Sequence, residues 1–142
     1  MIVNLSYPAK IEFDGETYQV NFIDIENCFT YGHSLTEAID NAQDVLGTML
    51  QSMAKDNFIL PLPGKLTKGT YLISPYPEIA APLELYILRK QKGKTIEEIA
   101  NALGISKQRY AEIENGKNLT LKTLHKVSKV LDANAIISLA TI

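Results

Sequence analysis

The chain has 142 residues, room for one ordinary domain or two small ones with modest cores. Its 46% hydrophobic and 21% charged residues exclude wholesale disorder, and no apolar run approaches the roughly 20 residues of a membrane span. A single cysteine, Cys28, and two distant histidines, His33 and His125, with no CxxC or HExxH, exclude an internal disulfide and a structural zinc site.

The opening MIVNLSYPAK has no basic stretch leading into an apolar core, so the chain is expected in the cytoplasm, in keeping with its cysteine usage. Charge divides unevenly. Met1 to Glu78 holds four Lys against ten Asp/Glu, a net of −6, whereas Ile79 to Ile142 holds ten Lys/Arg against six Asp/Glu, a net of +4. A basic half suits a polyanion such as DNA, and an acidic half suits a basic protein or serves solubility.

In chain order, apolar residues alternate with polar ones over Ala9 to Phe13 and again at Tyr18, Val20 and Phe22, the period of half-buried strands. Asp14-Gly15 between them predicts a hairpin, because glycine accepts the positive φ of a tight turn. A third strand is predicted around Cys28 to Tyr31. Ser34 followed by Glu37 then reads as a capping box, opening a helix whose apolar set runs Leu35, Ala38, Ile39, Ala42, Val45, Leu46, Met49, Leu50 and Met53. Its opposite face carries Glu37, Asp40, Asn41, Asp44, Gln51 and Lys55. Pro61, Pro63 and Gly64 break the pattern, and Thr70 to Ser74 predicts a fourth strand. The segment Pro75 to Pro82, with three prolines, marks the boundary between a domain at 1–76 and another at 77–142.

Pro82 is expected at the first position of the next helix, with Leu83, Tyr86 and Ile87 on its inner side and Gly93 as its cap. Thr95 with Glu98 forms another capping box, Ile99, Ala100 and Leu103 face inward, and Gly104 ends this short helix. Ile105 fills the turn, Ser106 caps the helix Lys107 to Asn115, and Gly116 ends it. Helix, glycine turn and helix at this spacing place the second helix in the DNA major groove. A helix over Leu121 to Leu131 follows, and five short helices in about 55 residues are expected to fold as an independent bundle.

The run Thr95 to Ala100, then Leu103-Gly104-Ile105-Ser106, then Ile113-Glu114-Asn115-Gly116 with Leu124 and Leu131, resembles the Cro/repressor (XRE) helix-turn-helix family. That resemblance implies base-reading roles for Lys107, Gln108 and Glu112 and phosphate contacts for Ser106, Asn115 and Lys117. The chemistry suits those roles: Lys107 can donate to guanine O6/N7, Gln108 can pair with adenine, and Glu112 can accept from cytosine N4. Arg109, Lys94 and Thr95 are phosphate candidates on the same grounds. Ile96 departs from the pattern, standing where a polar brace for the base-reading side chains is often found.

The stretch Tyr18 to Gly32, followed by Ser34-Leu-Thr-Glu37-Ala38 and Asn41-Ala42, resembles the N-terminal domain of HicB antitoxins. Ile23, Glu26 and Asn27 replace the prolines and glycine usual in that loop, though Asn27 can still adopt a left-handed conformation. The resemblance implies an α+β chain: a β-β-β-α-β truncated RNase H-like domain followed by an all-α helix-turn-helix bundle. It further implies an antitoxin that binds a HicA-type toxin, a small basic RNA-cleaving protein, and represses its own operon through operator double-stranded DNA, as a dimer or tetramer, with no enzymatic activity, cofactor or metal. Glu37, Asp40 and Asp44 are the candidate toxin contacts, competing for the basic face that grips RNA.

Two other functions are permitted by the sequence. A plain transcriptional regulator would use the N-terminal domain to bind a small ligand or to dimerise. A two-metal nuclease would need Glu12, Asp24 and Glu26 gathered at one site. The apolar tail Ala135 to Ile142 is read either as a dimer contact or as packing onto its own bundle.

Overall fold

In the computed structural model, which describes residues 2–58, 60–61 and 63–141, the chain forms two compact units, Met1–Ala80 and Ala81–Ile142. The class is α+β, with an antiparallel sheet in the first unit and helices alone in the second.

In the first unit, β1 (Tyr7–Phe13) and β2 (Tyr18–Phe22) pair antiparallel with Ile11 opposite Val20. The turn between them is closed by Asp14 N–H on Thr17 C=O at 3.0 Å, and Gly15 takes the expected positive φ of +99°. The Asp14 carboxylate also accepts the N–H groups of Glu16 and Thr17, so the loop is fixed by the aspartate as much as by the glycine. Then β3 (Phe29–Gly32) pairs with β2, and β4 (Thr70–Ile73) pairs with β1 on the other side, giving the order β3-β2-β1-β4. Asn27, in the loop before β3, does adopt the left-handed conformation at φ +57°.

The helix α1 (Leu35–Lys55) lies against this sheet with Ala38, Ala42, Leu46 and Leu50, four residues apart, all fully buried. Its start differs from a full capping box: Ser34 Oγ accepts Glu37 N–H, but the Glu37 carboxylate accepts the N–H of His33 instead of Ser34. Gly32 allows β3 to approach this helix closely. A Cβ there would stand 2.4 Å from the Ala38 nitrogen.

The helix α2 (Pro77–Gln91) begins at Pro77, five residues before the position predicted. Pro77 occupies the first turn, where its absent N–H matters least, while Pro82 is buried inside the helix. Leu83 is buried as expected, but Leu85 joins it inside, while Tyr86 and Ile87 are only half-buried.

The second unit continues with α3 (Ile96–Leu103), α4 (Lys107–Glu114) and α5 (Leu121–Val130). With α2 these are four helices among the described residues, not five. Leu85, Ile99, Ala100, Tyr110, Ile113, Val127 and Leu131 form the core, with Ile99 and Ala100 facing inward as expected. Residues 135–141 of the predicted tail segment carry neither helix nor strand, and Ile142 lies outside the described residues. Among the described residues no helix is long and apolar enough to cross a membrane.

Candidate nucleic-acid and partner interfaces

The helix-turn-helix is built by three local signals acting in series. Thr95 Oγ1 accepts Glu98 N–H at 3.1 Å and Glu98 Oε1 accepts Thr95 N–H at 3.3 Å, a complete capping box that starts α3. Gly104 at φ +70° ends it, and Ile105 N–H returns to the Ala100 carbonyl at 3.0 Å. Ser106 Oγ then accepts Arg109 N–H at 3.1 Å and starts α4.

Tyr110 and Ile113 turn into the core, which leaves Lys107, Gln108 and Arg109 exposed on the first turn of α4. An ammonium, an amide and a guanidinium therefore stand at a helix N-terminus, where the helix dipole favours anions. Glu112 is half-buried and its carboxylate lies 3.7 Å from Lys117 Nζ, so it faces the side of α4 rather than its leading end. Asn115 caps α4 and Lys117 follows in the exposed loop. A shallow groove between α4 and α5 joins Arg109, Glu112 and Lys117 to Asn118, Thr123 and Lys126. The last three were not singled out by sequence, where α5 read only as core packing.

The orientation of α4 depends on a pair the sequence also left unremarked. Arg89 of α2 is buried, donating from Nε and Nη2 to the Glu114 carboxylate at 2.6 and 3.0 Å and from Nη1 to the Lys94 carbonyl at 2.8 Å. Burial alone would lower the Arg89 pKa, but the Glu114 hydrogen bond and charge outweigh it and the net shift is upward. Beside them the Tyr110 hydroxyl is fully buried without a hydrogen-bond partner among the described residues, and burial, with Glu114 nearby, raises its pKa. One signal for Arg89 exists: it stands four residues after Leu85 on the buried side of α2.

In the first unit the acidic candidates share one exposed side of α1 but differ in engagement. Glu37 serves the helix start, as described, while Asp44 is exposed and its side chain makes no hydrogen bond or ion pair among the described residues. Asp40 is tied down, its Oδ1 accepting the Tyr76 hydroxyl at 2.8 Å and its carbonyl accepting the same hydroxyl at 3.1 Å. That hydrogen bond, aided by slight burial and the charges of Asp40, Asp44 and Glu78, pushes the Tyr76 pKa up to about 12.

The three carboxylates considered for metal chemistry do not assemble. Asp24 accepts Gly64 N–H at 2.7 Å, Glu12 pairs with Lys10 at 2.8 Å, and no group of three metal-ligating side chains occurs among the described residues. Cys28 is buried, and burial raises its thiol to about 11.

Comparison with known proteins assigns a family to each half. A family model described as a HicB-like antitoxin of bacterial toxin-antitoxin systems matches residues 6–75, and one described as a helix-turn-helix matches residues 85–135. Among curated proteins, Antitoxin HicB 1 of Photorhabdus laumondii subsp. laumondii is 30% identical over 141 residues, covering 98% of this chain and 90% of the relative. Antitoxin HicB 2 of the same organism is 33% identical over 113 residues, 80% of each chain. Antitoxin HicB of Escherichia coli (strain K12) is 29% identical over 113 residues, 80% of this chain and 76% of the relative.

Proposed function

The chain belongs to the HicB-like antitoxin family and carries a helix-turn-helix DNA-binding domain, and we propose that it neutralises a HicA-type RNA-cleaving toxin by direct binding and represses its own operon. In this reading residues 1–76 bind the toxin and residues 77–142 bind operator DNA. The chain itself performs no catalysis. It acts in the cytoplasm, where both its targets are found.

The observation that carries the reading is the attachment of a complete helix-turn-helix, capped at Thr95 and Ser106, to an antitoxin-family domain of opposite net charge. On the DNA side, Lys107 and Gln108 read base edges from the exposed first turn of α4. Arg109, Asn115 and Lys117 contact phosphates, joined by Thr95 and Ser106 at the N-termini of α3 and α4. Glu112 accepts from a cytosine only if it leaves Lys117, so in this role it is the least prepared of the set. Domains of this kind read two half-sites about one helical turn apart, which calls for a dimer.

On the toxin side, Glu37, Asp40 and Asp44 present carboxylates to a basic RNA-gripping surface. Asp44 is the most available of the three, and Asp40 contributes charge while holding Tyr76. The direct test is co-purification of the chain with the product of an adjacent reading frame for a small basic protein, followed by RNA cleavage by that product with and without the chain. Suppressed cleavage in the complex supports the proposal; a stable complex whose RNA cleavage is undiminished contradicts it.

A further inference from the structure

The groove between α4 and α5 has a volume of about 140 Å³, many times the roughly 15 Å³ that a single water needs. Its rim carries three cations, Arg109, Lys117 and Lys126, with Asn118, Thr123 and one carboxylate, Glu112, an excess of two positive charges. Buried Ile113 and Val127 form part of its floor. Charges above an apolar floor are poorly screened, and a cleft lined mainly by one sign of charge concentrates the field of that sign. Arg109 and Lys126 make no ion pair among the described residues, and Lys117 Nζ meets the Glu112 carboxylate only at 3.7 Å, beyond hydrogen-bond reach. Thr123 Oγ1 accepts the Thr120 hydroxyl at 3.0 Å, which leaves the Thr123 proton free to donate.

We infer that this groove seats a phosphate group of the DNA backbone, and that the Glu112 carboxylate stands there as a resident anion in the free chain, so that an arriving phosphate takes Lys117 from it. Position selects the ligand. Arg109 borders the groove and directly follows Lys107 and Gln108 on the exposed first turn of α4, so the groove begins where the proposed base contacts end, and the anion next to them on a duplex is a backbone phosphate. Helix α5 prolongs the positive rim: Lys122, Lys126 and Lys129, four and three residues apart, are exposed on one side of a helix that contains no acidic residue. The exchange is favourable as well as possible. The Lys117 and Glu112 side chains are 65% and 37% exposed, and so open and long a pair contributes little. A phosphate brings several acceptor oxygens for charge-assisted bonds to all three cations. Glu112 thus acts as a built-in competitor that lowers affinity for every sequence alike, a role distinct from reading a base.

The inference rests on the proposed DNA binding for the source of the phosphate but not for the seat. Affinities of the full chain for duplexes of several unrelated sequences are measured at one salt concentration, with circular dichroism to show that each variant is folded. Glu112→Gln should tighten binding to all of them alike, about two- to fivefold. Lys126→Ala should weaken binding to all, and a salt series should show its slope lowered by about one. The tightening should shrink in a Lys117→Ala background, where no cation is withheld, and persist in Lys92→Ala, which removes the same charge outside the groove. An equal gain in both backgrounds overturns the inference, reducing Glu112 to a repelling surface charge, as does a loss confined to duplexes with one particular base, which would make it a reader alone. A second measurement needs no DNA: inorganic phosphate titrated into the isotope-labelled chain should shift the amide NMR signals of Asn118, Thr123 and Lys126, and at lower concentration in Glu112→Gln. Groove signals that stay still, or that move no earlier in Glu112→Gln, overturn the seat. Phosphate shifts with duplex affinity unchanged by Glu112→Gln and Lys126→Ala would assign the seat to a free phosphate compound, against the inference. Phosphate shifts with no binding to a duplex of any sequence would uphold the seat and refute the DNA reading.

Discussion

Arg89 grips both oxygens of the Glu114 carboxylate, at 2.6 and 3.0 Å, with each side chain only 7% exposed. The pair fastens α2 to the end of α4, and the remaining guanidinium nitrogen holds the Lys94 carbonyl just ahead of the Thr95 cap. A single group thus fixes the angle of the proposed recognition helix and the entry to the helix that precedes it. Removing one partner leaves an uncompensated buried charge, so Arg89→Met should cost about 3–5 kcal/mol of stability in the helical unit. Arg89→Met combined with Glu114→Leu should recover most of that loss, since no charge is then stranded. Denaturant unfolding followed by circular dichroism measures both, and a loss below about 1 kcal/mol in the single variant would contradict the role assigned here.

Lys107→Ala and Gln108→Ala should relax preference among operator variants, by about 1–3 kcal/mol for each matched base. Lys117→Ala should instead weaken binding to all sequences alike and lower the salt dependence of affinity, because a phosphate contact acts through released counterions. Titrations of operator variants at several salt concentrations separate the two classes. Altered preference with Lys117→Ala and unaltered preference with Lys107→Ala would show that α4 is not the reading helix.

Gly32→Ala should destabilise the first unit by about 1–3 kcal/mol or more, because the new Cβ would meet the Ala38 nitrogen and Cα at 2.4 and 2.7 Å, backbone atoms that cannot swing aside. Thermal unfolding of the variant tests this. A melting point equal to that of the natural chain would mean β3 and α1 are not held as closely as described.

Asp14 is held at a pKa of about 2, chiefly by the Thr17 N–H and then by the Glu16 N–H. A carboxyl whose folded pKa lies below its ordinary value contributes stability above that value and loses it as pH falls through the lowered one. The stability difference between the natural chain and Asp14→Ala should therefore be constant above about pH 4 and shrink as pH falls towards 2. Melting points of both proteins across that range provide the check; a difference that grows with acidity would refute the hairpin assignment.

Asp40→Asn and Asp40→Lys separate charge from structure on α1. Asparagine retains an oxygen to accept the Tyr76 hydroxyl, whereas lysine loses both the acceptor and the charge. If Asp40 acts on the toxin through charge, Asp40→Asn should slow association modestly and Asp40→Lys with Asp44→Lys strongly. Association rates measured at low and high salt decide it. Rates that are equal in all variants would remove this face from the toxin interface.

Local signals were legible in the sequence because each is carried by residues within a few positions of one another. The hairpin at Asp14-Gly15, the caps at Ser34, Thr95 and Ser106, and the Gly104 turn all appear where their residues placed them. The start of α2 was missed because two prolines, Pro77 and Pro82, compete for one role and only packing chooses between them. Arg89–Glu114 and Asp40–Tyr76 span 25 and 36 residues, so no periodicity within either segment points to the other. The groove that brings Lys126 beside Arg109 is hidden for the same reason: it exists only once α4 and α5 are folded together.

The division of labour between an acidic toxin-binding unit and a basic DNA-binding unit is tested most directly with a fragment ending at Ala80. That end keeps Tyr76 on Asp40 and Ser74 on Ser6 and Gln43, bonds that a cut at residue 74 would lose or weaken. The measurement is RNA cleavage by the cognate toxin titrated with this fragment and, in parallel, with the full chain. Complete suppression at comparable ratios by both is the expected result, whereas full cleavage in excess of a demonstrably folded fragment, with suppression by the full chain, would contradict it.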